Sequence, residues 1–186
     1  VLVDKEKTIT GDSLYYDSKS GESRGYGNVI YVDKERKNSL TCDLMRYNEK
    51  TGNGFATKRA LVKDFSQKDT LYVHADTLKI FTFHINTDSV YRVVHAYHKV
   101  RAYRTDVQAV CDSLTFSTKD SCLVMYKDPI VWSDNRQLLG EQIKVYMNDS
   151  TVREGHVIGQ ALSVEKVDED NHYNQISSKV MHAYFV

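Results

Sequence analysis

The residues of this chain most able to do chemistry are five acidic side chains that recur at nearly even spacing. Successive members lie 31, 33, 36 and 29 residues apart. Stacked carboxylates could form a catalytic or metal-binding array, but acid–base catalysis needs one unique pair of groups, whereas here one acid occurs in each repeat. We therefore interpret them as structural residues at bends of the backbone. The five bend acids are Asp12, Asp43, Asp76, Asp112 and Glu141.

Other residue types give no catalytic or metal-binding pattern. His95 and His98 are three positions apart, which on a strand directs them to opposite faces and disfavours a shared metal ion. The sequence contains no Ser-His-Asp order, no glycine-rich phosphate loop and no Cys-x-x-Cys pair. We therefore predict that the protein is not an enzyme, and we assign it no cofactor and no metal site.

Each acid lies in the middle of a repeated pattern, for which the copy around Asp76 is the example. The apolar residues before the acid, Val73 and Ala75, have odd numbers, whereas those after it, Leu78 and Ile80, have even numbers. Since strand side chains alternate between faces, one strand keeps both pairs on the same side only if its phase slips by one residue. A β-bulge or a corner provides that slip. The pattern predicts a strand that turns a corner at its acid, whose carboxylate accepts hydrogen bonds from backbone amides left unpaired there.

The positions that follow the acids predict a dry interior. The second and fourth residues after each acid are apolar or aromatic in all five copies, whereas eight of the ten interleaved residues are polar. Such alternation is typical of sheets with one wet face and one buried face. The ten interior positions are Leu14, Tyr16, Met45, Tyr47, Leu78, Ile80, Leu114, Phe116, Ile143 and Val145.

Short turn-rich segments inside each repeat make its two arms antiparallel. With 13 tyrosines, a single proline and no segment of helical periodicity, the composition favours strands. The sequence therefore predicts one all-β domain over residues 1–186, built from about five stacked antiparallel hairpin repeats with an apolar interior. The approximate repeats are 9–39, 40–72, 73–108, 109–137 and 138–176, with a partial copy at 177–186.

Charge and composition exclude several classes of protein. The 25 basic and 25 acidic residues give a net charge of zero, without the basic stripe that a nucleic-acid-binding protein needs. No apolar run approaches the roughly 20 residues of a membrane-spanning helix. The odd count of three cysteines excludes a complete set of internal disulfides, and we expect Cys42 and Cys111 to be unpaired buried residues.

Several segments carry a resemblance to a known family. Residues 11–17 followed by 25–31, with further copies at 75–78 and 111–114, resemble the OstA-like family. This family comprises periplasmic lipopolysaccharide-transport bridge proteins and the matching soluble domain of the outer-membrane lipopolysaccharide assembly protein. Together the matching segments extend over about residues 9–162, with the long third repeat as a departure.

The resemblance implies a twisted β-jellyroll whose apolar groove carries the acyl chains of lipopolysaccharide or lipid A. It implies that the protein is periplasmic and associates with the outer membrane. We expect its signal peptide to have been removed. Other lipopolysaccharide-transport proteins, or further copies of the chain joined end to end, would pair with it through edge strands. The groove candidates are the ten interior positions together with Val29, Tyr31 and Trp132.

The residues alone leave the nature of the interior open. The apolar column is either a lipid groove or a packed core. With a packed core, the protein would be a structural or assembly β-repeat domain with no lipid ligand. A sugar-acting β-solenoid enzyme is a third alternative, although the hairpin turn inside each repeat argues against it.

Overall fold

In the computed structural model the described residues are 2–4, 6–133, 135–148, 151–167 and 172–184. Within them the chain forms strands and turns and no α-helix. This described part of the chain accordingly has no helix long and apolar enough to cross a membrane. The strands are β1 (Leu2–Asp4), β2 (Lys7–Thr10), β3 (Ser13–Asp17), β4 (Glu22–Asp33), β5 (Asn38–Asn48), β6 (Asn53–Asp64), β7 (Leu71–Phe83), β8 (Tyr91–Arg104), β9 (Val107–Ser117), β10 (Cys122–Tyr126), β11 (Ile130–Ser133), β12 (Arg136–Leu139), β13 (Gln142–Asn148), β14 (Thr151–Lys166) and β15 (Tyr173–Tyr184).

All of these strands belong to one antiparallel sheet. Consecutive strands pair directly from β4 to β10, after which β13 and β14 continue the sheet. One half of β9 pairs with β10 and the other half with β11, and β14 divides in the same way between β13 and β12. Among the described strands β15 pairs with β14 alone, so it forms an edge of the sheet.

The long strands change register beside every acid. For example, Gly27 and Asn28 of β4 lie opposite the single residue Asp43 of β5, and both have positive φ. Such two-against-one pairing is a β-bulge, which bends the strand and resets its phase. The phase slip inferred from the change of parity is therefore present, and the residues with positive φ lie in the return strands. Equivalent pairs occur at 58–59, 98–99, 127–128 and 159–160.

Each bent strand contributes to two layers. The first layer contains the arm before each acid and the segment paired with it, such as residues 71–75 of β7 with 100–104 of β8. The second layer contains the arm after each acid and its partner, such as residues 77–83 with 91–97. The layers meet along a line through the acids and the bulges, which we call the corner.

Side chains from both layers form one apolar core. The chain is thus an all-β, twisted β-jellyroll built from stacked antiparallel hairpins around an apolar interior, which confirms the fold class predicted from the sequence. The bulges explain how this fold arises from the repeated pattern, because each one returns the apolar residues on both sides of an acid to the same interior.

Candidate functional site

The interior beside the corner is tightly packed. Two rows of side chains, one from each layer, line the corner and are at most 9% exposed. Burial raises the pKa of the Cys42 and Cys111 thiols to about 11, as expected for cysteines that serve as small apolar residues. The corner rows are Val29, Cys42, Ala60, Ala75, Val100, Cys111 and Ala161 in the first layer and Met45, Ala56, Leu78, Ala96, Leu114, Met125, Ile143 and Val157 in the second.

One step further from the corner, the second layer presents another row, in which most members are apolar. It continues in register across eleven strands, from Tyr16 on β3 to Ala183 on β15. Tyr16 and Tyr47 are 45% and 39% exposed, and the remaining apolar members are partly exposed. The row is Tyr16, Ser23, Tyr47, Gly54, Ile80, Val94, Phe116, Leu123, Val145, Gly155 and Ala183.

The first layer carries a matching outer row. Most of its side chains are partly exposed, and Ile176 on the edge strand is 62% exposed. Many of these residues pack against the core with one side only. The row is Ile9, Tyr31, Leu40, Val62, Val73, Ala102, Ala109, Val131, Leu138, Ser163 and Ile176.

The gradient of exposure defines a groove. If the two layers closed on each other, the outer rows would be buried as deeply as the corner rows, since facing side chains fill the space between packed sheets. Exposure instead rises away from the corner, so the layers diverge and leave apolar walls open to solvent. The accessible surface of 11825 Å² agrees with this, because a compact monomer of this mass would expose only about 9,100 Å².

Polar residues border the groove on both sides. On the first layer, Lys7 and Asp33 lie one same-face step beyond the apolar row. On the second layer the corresponding step reaches Thr82 and Arg92, which face each other across β7 and β8. At this border the Tyr16 hydroxyl donates a 2.8 Å hydrogen bond to Glu49, which keeps the polar end of the ring at the rim. The groove is therefore amphipathic in cross-section, with an apolar floor and polar edges.

Asp33 is the one rim residue that is buried among those described, with 1% exposure. Its carboxylate accepts hydrogen bonds from the Arg36 amide at 2.9 Å and from the Tyr31 hydroxyl at 3.2 Å. Burial opposes ionisation, but these two donors outweigh it and lower the pKa of Asp33. Burial, together with the negative charge of Asp33, raises the pKa of Tyr31 to about 12. The hydrogen bond from the Arg36 amide to Asp33 stabilises the turn that follows β4.

The structure separates the sequence-predicted groove residues into two depths. Those at the corner are packed core residues, and those in the outer rows line the open groove. The corner set is Val29, Met45, Leu78, Leu114 and Ile143, and the outer set is Tyr16, Tyr31, Tyr47, Ile80, Phe116 and Val145. Leu14 is in register with Met45 through Gly25 but is only partly buried.

Trp132 is the one groove candidate that the structure places elsewhere. Its neighbour Val131 pairs with Ala109 and packs against the core, so Trp132 lies on the opposite face of β11 beside Gln108 and Gln137. The prediction for Trp132 is therefore corrected. Its apolar neighbours in sequence do not alternate with polar residues, so periodicity could not assign its face, whereas the register does.

Half of the groove wall consists of residues that, apart from Tyr31, the sequence analysis did not name as groove candidates. The outer row of the first layer comes largely from the arms before the acids, including Leu40 and Val73, and from return strands, including Val62. A signal for the first group was present in the sequence, because apolar residues precede each acid at alternate positions. The return strands carry no acid to mark their phase.

The bend acids lie on the outer, solvent side of the corner. Asp43 and Asp112 have side chains that are 27% and 32% exposed, and that of Asp76 is 48% exposed. The Asp12 amide donates to the carbonyl of Gly27 at 2.9 Å, so the backbone at the acid is bonded to the bulge. At Gly27 a Cβ would displace the Asp12 carboxylate, which lies against the glycine.

The carboxylates of these acids contact side chains of the bulge, not the free backbone amides that the sequence pattern predicted. Arg59 makes two hydrogen bonds to Asp43, at 2.7 and 3.1 Å, and lowers the pKa of that carboxyl. Asp112 contacts His98 and Lys127, both at 3.1 Å, and these two partners lower its pKa.

The three remaining acids have weaker contacts of the same kind. They are formed by Asn28 Nδ2 with Asp12 at 3.1 Å, Lys99 Nζ with Asp76 at 3.8 Å and Gln160 Nε2 with Glu141 at 3.4 Å. Exposed pairs of this type contribute little to stability. The bulge geometry itself, more than the carboxylate, is therefore the main determinant of the corner.

His95 and His98, considered above as a pair, lie in different surroundings. His95 stacks on Tyr97 and meets the edge of Phe81, and burial lowers its pKa. His98 belongs to the bulge and contacts Asp112. The structure does not bring the two imidazoles to one site.

The fold and the groove together define an all-β protein with an open apolar cleft between two layers of one bent sheet. No family model and no curated protein matches the chain. Among solved structures it is similar to that of LptH, the LptA homologous periplasmic component of the conserved lipopolysaccharide transport device from Pseudomonas aeruginosa. The identity is 12% and the TM-score 0.34, with 91% of this chain and 93% of that chain covered. With a TM-score this low, the likeness does not assign a function to this chain.

Proposed function

We propose that this protein binds lipid without catalysing a reaction, and that its groove holds the acyl chains of lipopolysaccharide or lipid A. In this proposal it is a periplasmic bridge module that passes lipopolysaccharide towards the outer membrane. One observation carries the proposal: two apolar rows, each left partly exposed, face a common cleft between polar rims. The repeat pattern, with its resemblance to the OstA-like family, adds support.

The dimensions of the groove suit acyl chains. A row that crosses eleven strands extends for about 48 Å at the usual spacing between strands. Each buried methylene contributes about 0.8 kcal/mol, so a chain of about a dozen methylenes gains roughly 10 kcal/mol before ordering costs are subtracted. Because the outer rows remain open to solvent, a bound chain could leave without unfolding the sheet, as a transport function requires.

The rim suits an amphipathic ligand. A lipid of the proposed class carries phosphates and sugars that must stay hydrated while its chains are buried. Lys7, two residues before Ile9 on the same face, and the exposed Arg36, in the turn after β4, place cations beside the mouth of the groove. Phosphate oxygens could accept charge-assisted hydrogen bonds from these side chains while the acyl chains lie below them.

The edge strand β15 suits assembly with a further chain. It pairs with β14 alone among the described strands, and it exposes a run of large apolar residues. An unpaired edge of this kind can add a strand from a neighbouring protein. We propose that other lipopolysaccharide-transport proteins, or a second copy of this chain, pair here. The exposed residues are Tyr173 (58%), Ile176 (62%), Val180 (47%) and Tyr184 (69%).

A pair of adjacent substitutions on β7 tests the lipid proposal. Ile80 faces the groove, whereas Phe81 is 37% exposed on the opposite face of the same strand. Ile80→Asp places a carboxylate against the bound hydrocarbon, and Phe81→Asp places the same group in solvent. Titration of lipid A into the protein, followed by native mass spectrometry, should show adducts for the wild type and Phe81→Asp and loss of adducts for Ile80→Asp.

Two results would contradict the proposal. Absence of an adduct with a folded wild-type protein would favour the alternative, a structural or assembly β-repeat domain. The exposed edge strand β15 suits that alternative as well. Equal loss of adducts in Ile80→Asp and Phe81→Asp would show that the ligand is not held by the groove face. Circular dichroism of both variants controls for unfolding.

A further inference from the structure

Three potential metal ligands come together on the outer face of the second layer, away from the groove. Glu154 and His156 alternate along β14 and therefore point to the same face. His182 lies directly opposite His156 on β15. One ligand atom from each of the three side chains lies within 4.8 Å of the others. The sequence predicts no metal site here, because His156 and His182 are 26 residues apart and only the strand register brings them together.

We propose that Glu154, His156 and His182 bind a divalent transition-metal ion, with Zn²⁺ as the best fit. Two imidazole nitrogens and one carboxylate oxygen are a ligand set that this ion accepts, with a fourth position left for water. The absence of thiolates favours Zn²⁺, Cu²⁺ or Ni²⁺ over softer ions, and the mixed nitrogen and oxygen donors disfavour Mg²⁺ and Ca²⁺.

The three side chains already lie close enough to converge. His156 Nε2 lies 2.5 Å from Glu154 Oε1, and the rings of His156 and His182 stack with centroids 4.0 Å apart. Stacked rings do not both direct a nitrogen at one ion, so binding requires a rotation of the His182 ring. The His182 side chain is exposed, whereas Glu154 and His156 are more enclosed. The ion would replace the hydrogen bond between Glu154 and His156, because both would bind it through the atoms that now contact each other.

An ion at this position would fasten the edge strand to the sheet. Two ligands come from β14 and one from β15, and β15 is largely exposed, with only one described partner strand. A metal ion that binds the paired arrangement but not the separated strands stabilises the pairing by mass action. The site would thus control how firmly β15 is held, and metal binding can be measured without any lipid present.

The charged groups that face the site act on a bound ion. The other polar and charged groups nearby are Tyr146 and Lys144 on β13, Arg153 on β14, Tyr184 on β15 and Cys122, which contacts Tyr146 from β10. Lys144 and Arg153 oppose a cation, and Glu154 offsets them.

The test uses untagged, chelator-treated protein and Zn²⁺ as the probe. Isothermal titration and native mass spectrometry should give one ion per chain for the wild type. His182→Ala removes an exposed ligand and should weaken binding at least tenfold. Loss of a residue that only hydrogen-bonds to a metal ligand already weakens metal binding by about 10- to 100-fold. His98→Ala is the matched control, because His98 also contacts a carboxylate, that of Asp112, but belongs to no cluster of three ligands among the described residues.

Hydrogen exchange provides a second readout. Zn²⁺ should slow exchange of the β15 amides in the wild type and in His98→Ala, and should leave His182→Ala unchanged. The proposal is overturned if the wild type binds no stoichiometric Zn²⁺, or if His182→Ala binds it as tightly as the wild type does. Binding that is lost equally in His98→Ala would also overturn it, since it would show general association with surface histidines.

Discussion

Two neighbouring residues of β7 should separate stability from lipid binding. Leu78 lies in the corner row and is 7% exposed, whereas Ile80, two residues further on the same face, lies in the partly exposed outer row. Leu78→Ala creates a cavity in a packed region and should lower the free energy of unfolding by about 2–5 kcal/mol. Ile80→Thr keeps a β-branched side chain and removes partly exposed apolar surface, so it should cost about 1 kcal/mol.

The expected effects on lipid affinity are the reverse. Ile80 would contact an acyl chain directly, and loss of one to two methylene contacts at about 0.8 kcal/mol each weakens binding roughly four- to fifteenfold. Leu78 lies beneath the outer row and has little contact with the ligand, so Leu78→Ala should bind with nearly wild-type affinity while it remains folded. Urea unfolding measures stability, and titration of fluorescent lipid A at low temperature measures affinity.

One result would refute the geometry behind this prediction. If Ile80→Thr destabilises as much as Leu78→Ala, the outer row is buried in solution, the layers are closed and the interior is a packed core. Unchanged lipid affinity in Ile80→Thr, with weakened affinity in Leu78→Ala, would place the ligand outside the outer row. A change in the m-value would signal altered compactness and would require the unfolding data to be reinterpreted.

Three further substitutions or measurements test the corner and the rim. Gly159 has φ of 74°, and a Cβ there would lie 2.5 Å from Glu141 Oε2. Gly159→Ala should therefore lower the free energy of unfolding in urea by about 1–3 kcal/mol. Lys58→Gly, at an equivalent bulge, is the control and should lower it little. Because the folded-state pKa of Asp33 is lowered, ionised Asp33 stabilises the folded protein fully above about pH 4, and this stabilisation is lost as the pH falls through the lowered value. The melting temperature of Asp33→Asn should therefore change less with pH in that range than that of the wild type. With pKa values of about 11, Cys42 and Cys111 should resist iodoacetamide at pH 8 in the folded state and react in urea, as judged by mass spectrometry; rapid labelling of the native protein would contradict their burial.

The corner could be predicted because it changes the apolar pattern within a single strand. Val73 and Ala75 lie on one parity and Leu78 and Ile80 on the other, and only a slip of phase reconciles them with one interior. The all-β fold follows from the recurrence of this change together with the turns inside each repeat. The alternation of apolar and polar residues also identified one wall of the groove, because that wall has one wet face.

The bulge partners could not be predicted from the same pattern. Lys58, Arg59, His98 and Lys99 adopt positive φ although none of them is glycine, the residue that normally marks such a conformation. Their sequence therefore gives no signal of a bulge, and the contacts of the acids with these side chains followed only from the structure. The cluster around His156 is similar, because cross-strand neighbours depend on register, which residue types alone do not specify.

The bulged corner also explains why a stable sheet can keep an apolar groove open. In an ordinary β-sandwich, two separate sheets are held together by side chains packed across the whole interface. Here the same strands run through both layers, so the layers are joined by the backbone and by the corner rows, which are at most 9% exposed. Backbone hydrogen bonds of each layer are satisfied within that layer, so the outer rows need not meet to complete them. Stability is therefore concentrated at the corner and the outer rows remain available to a ligand, which is the division of roles that Leu78 and Ile80 are expected to reveal.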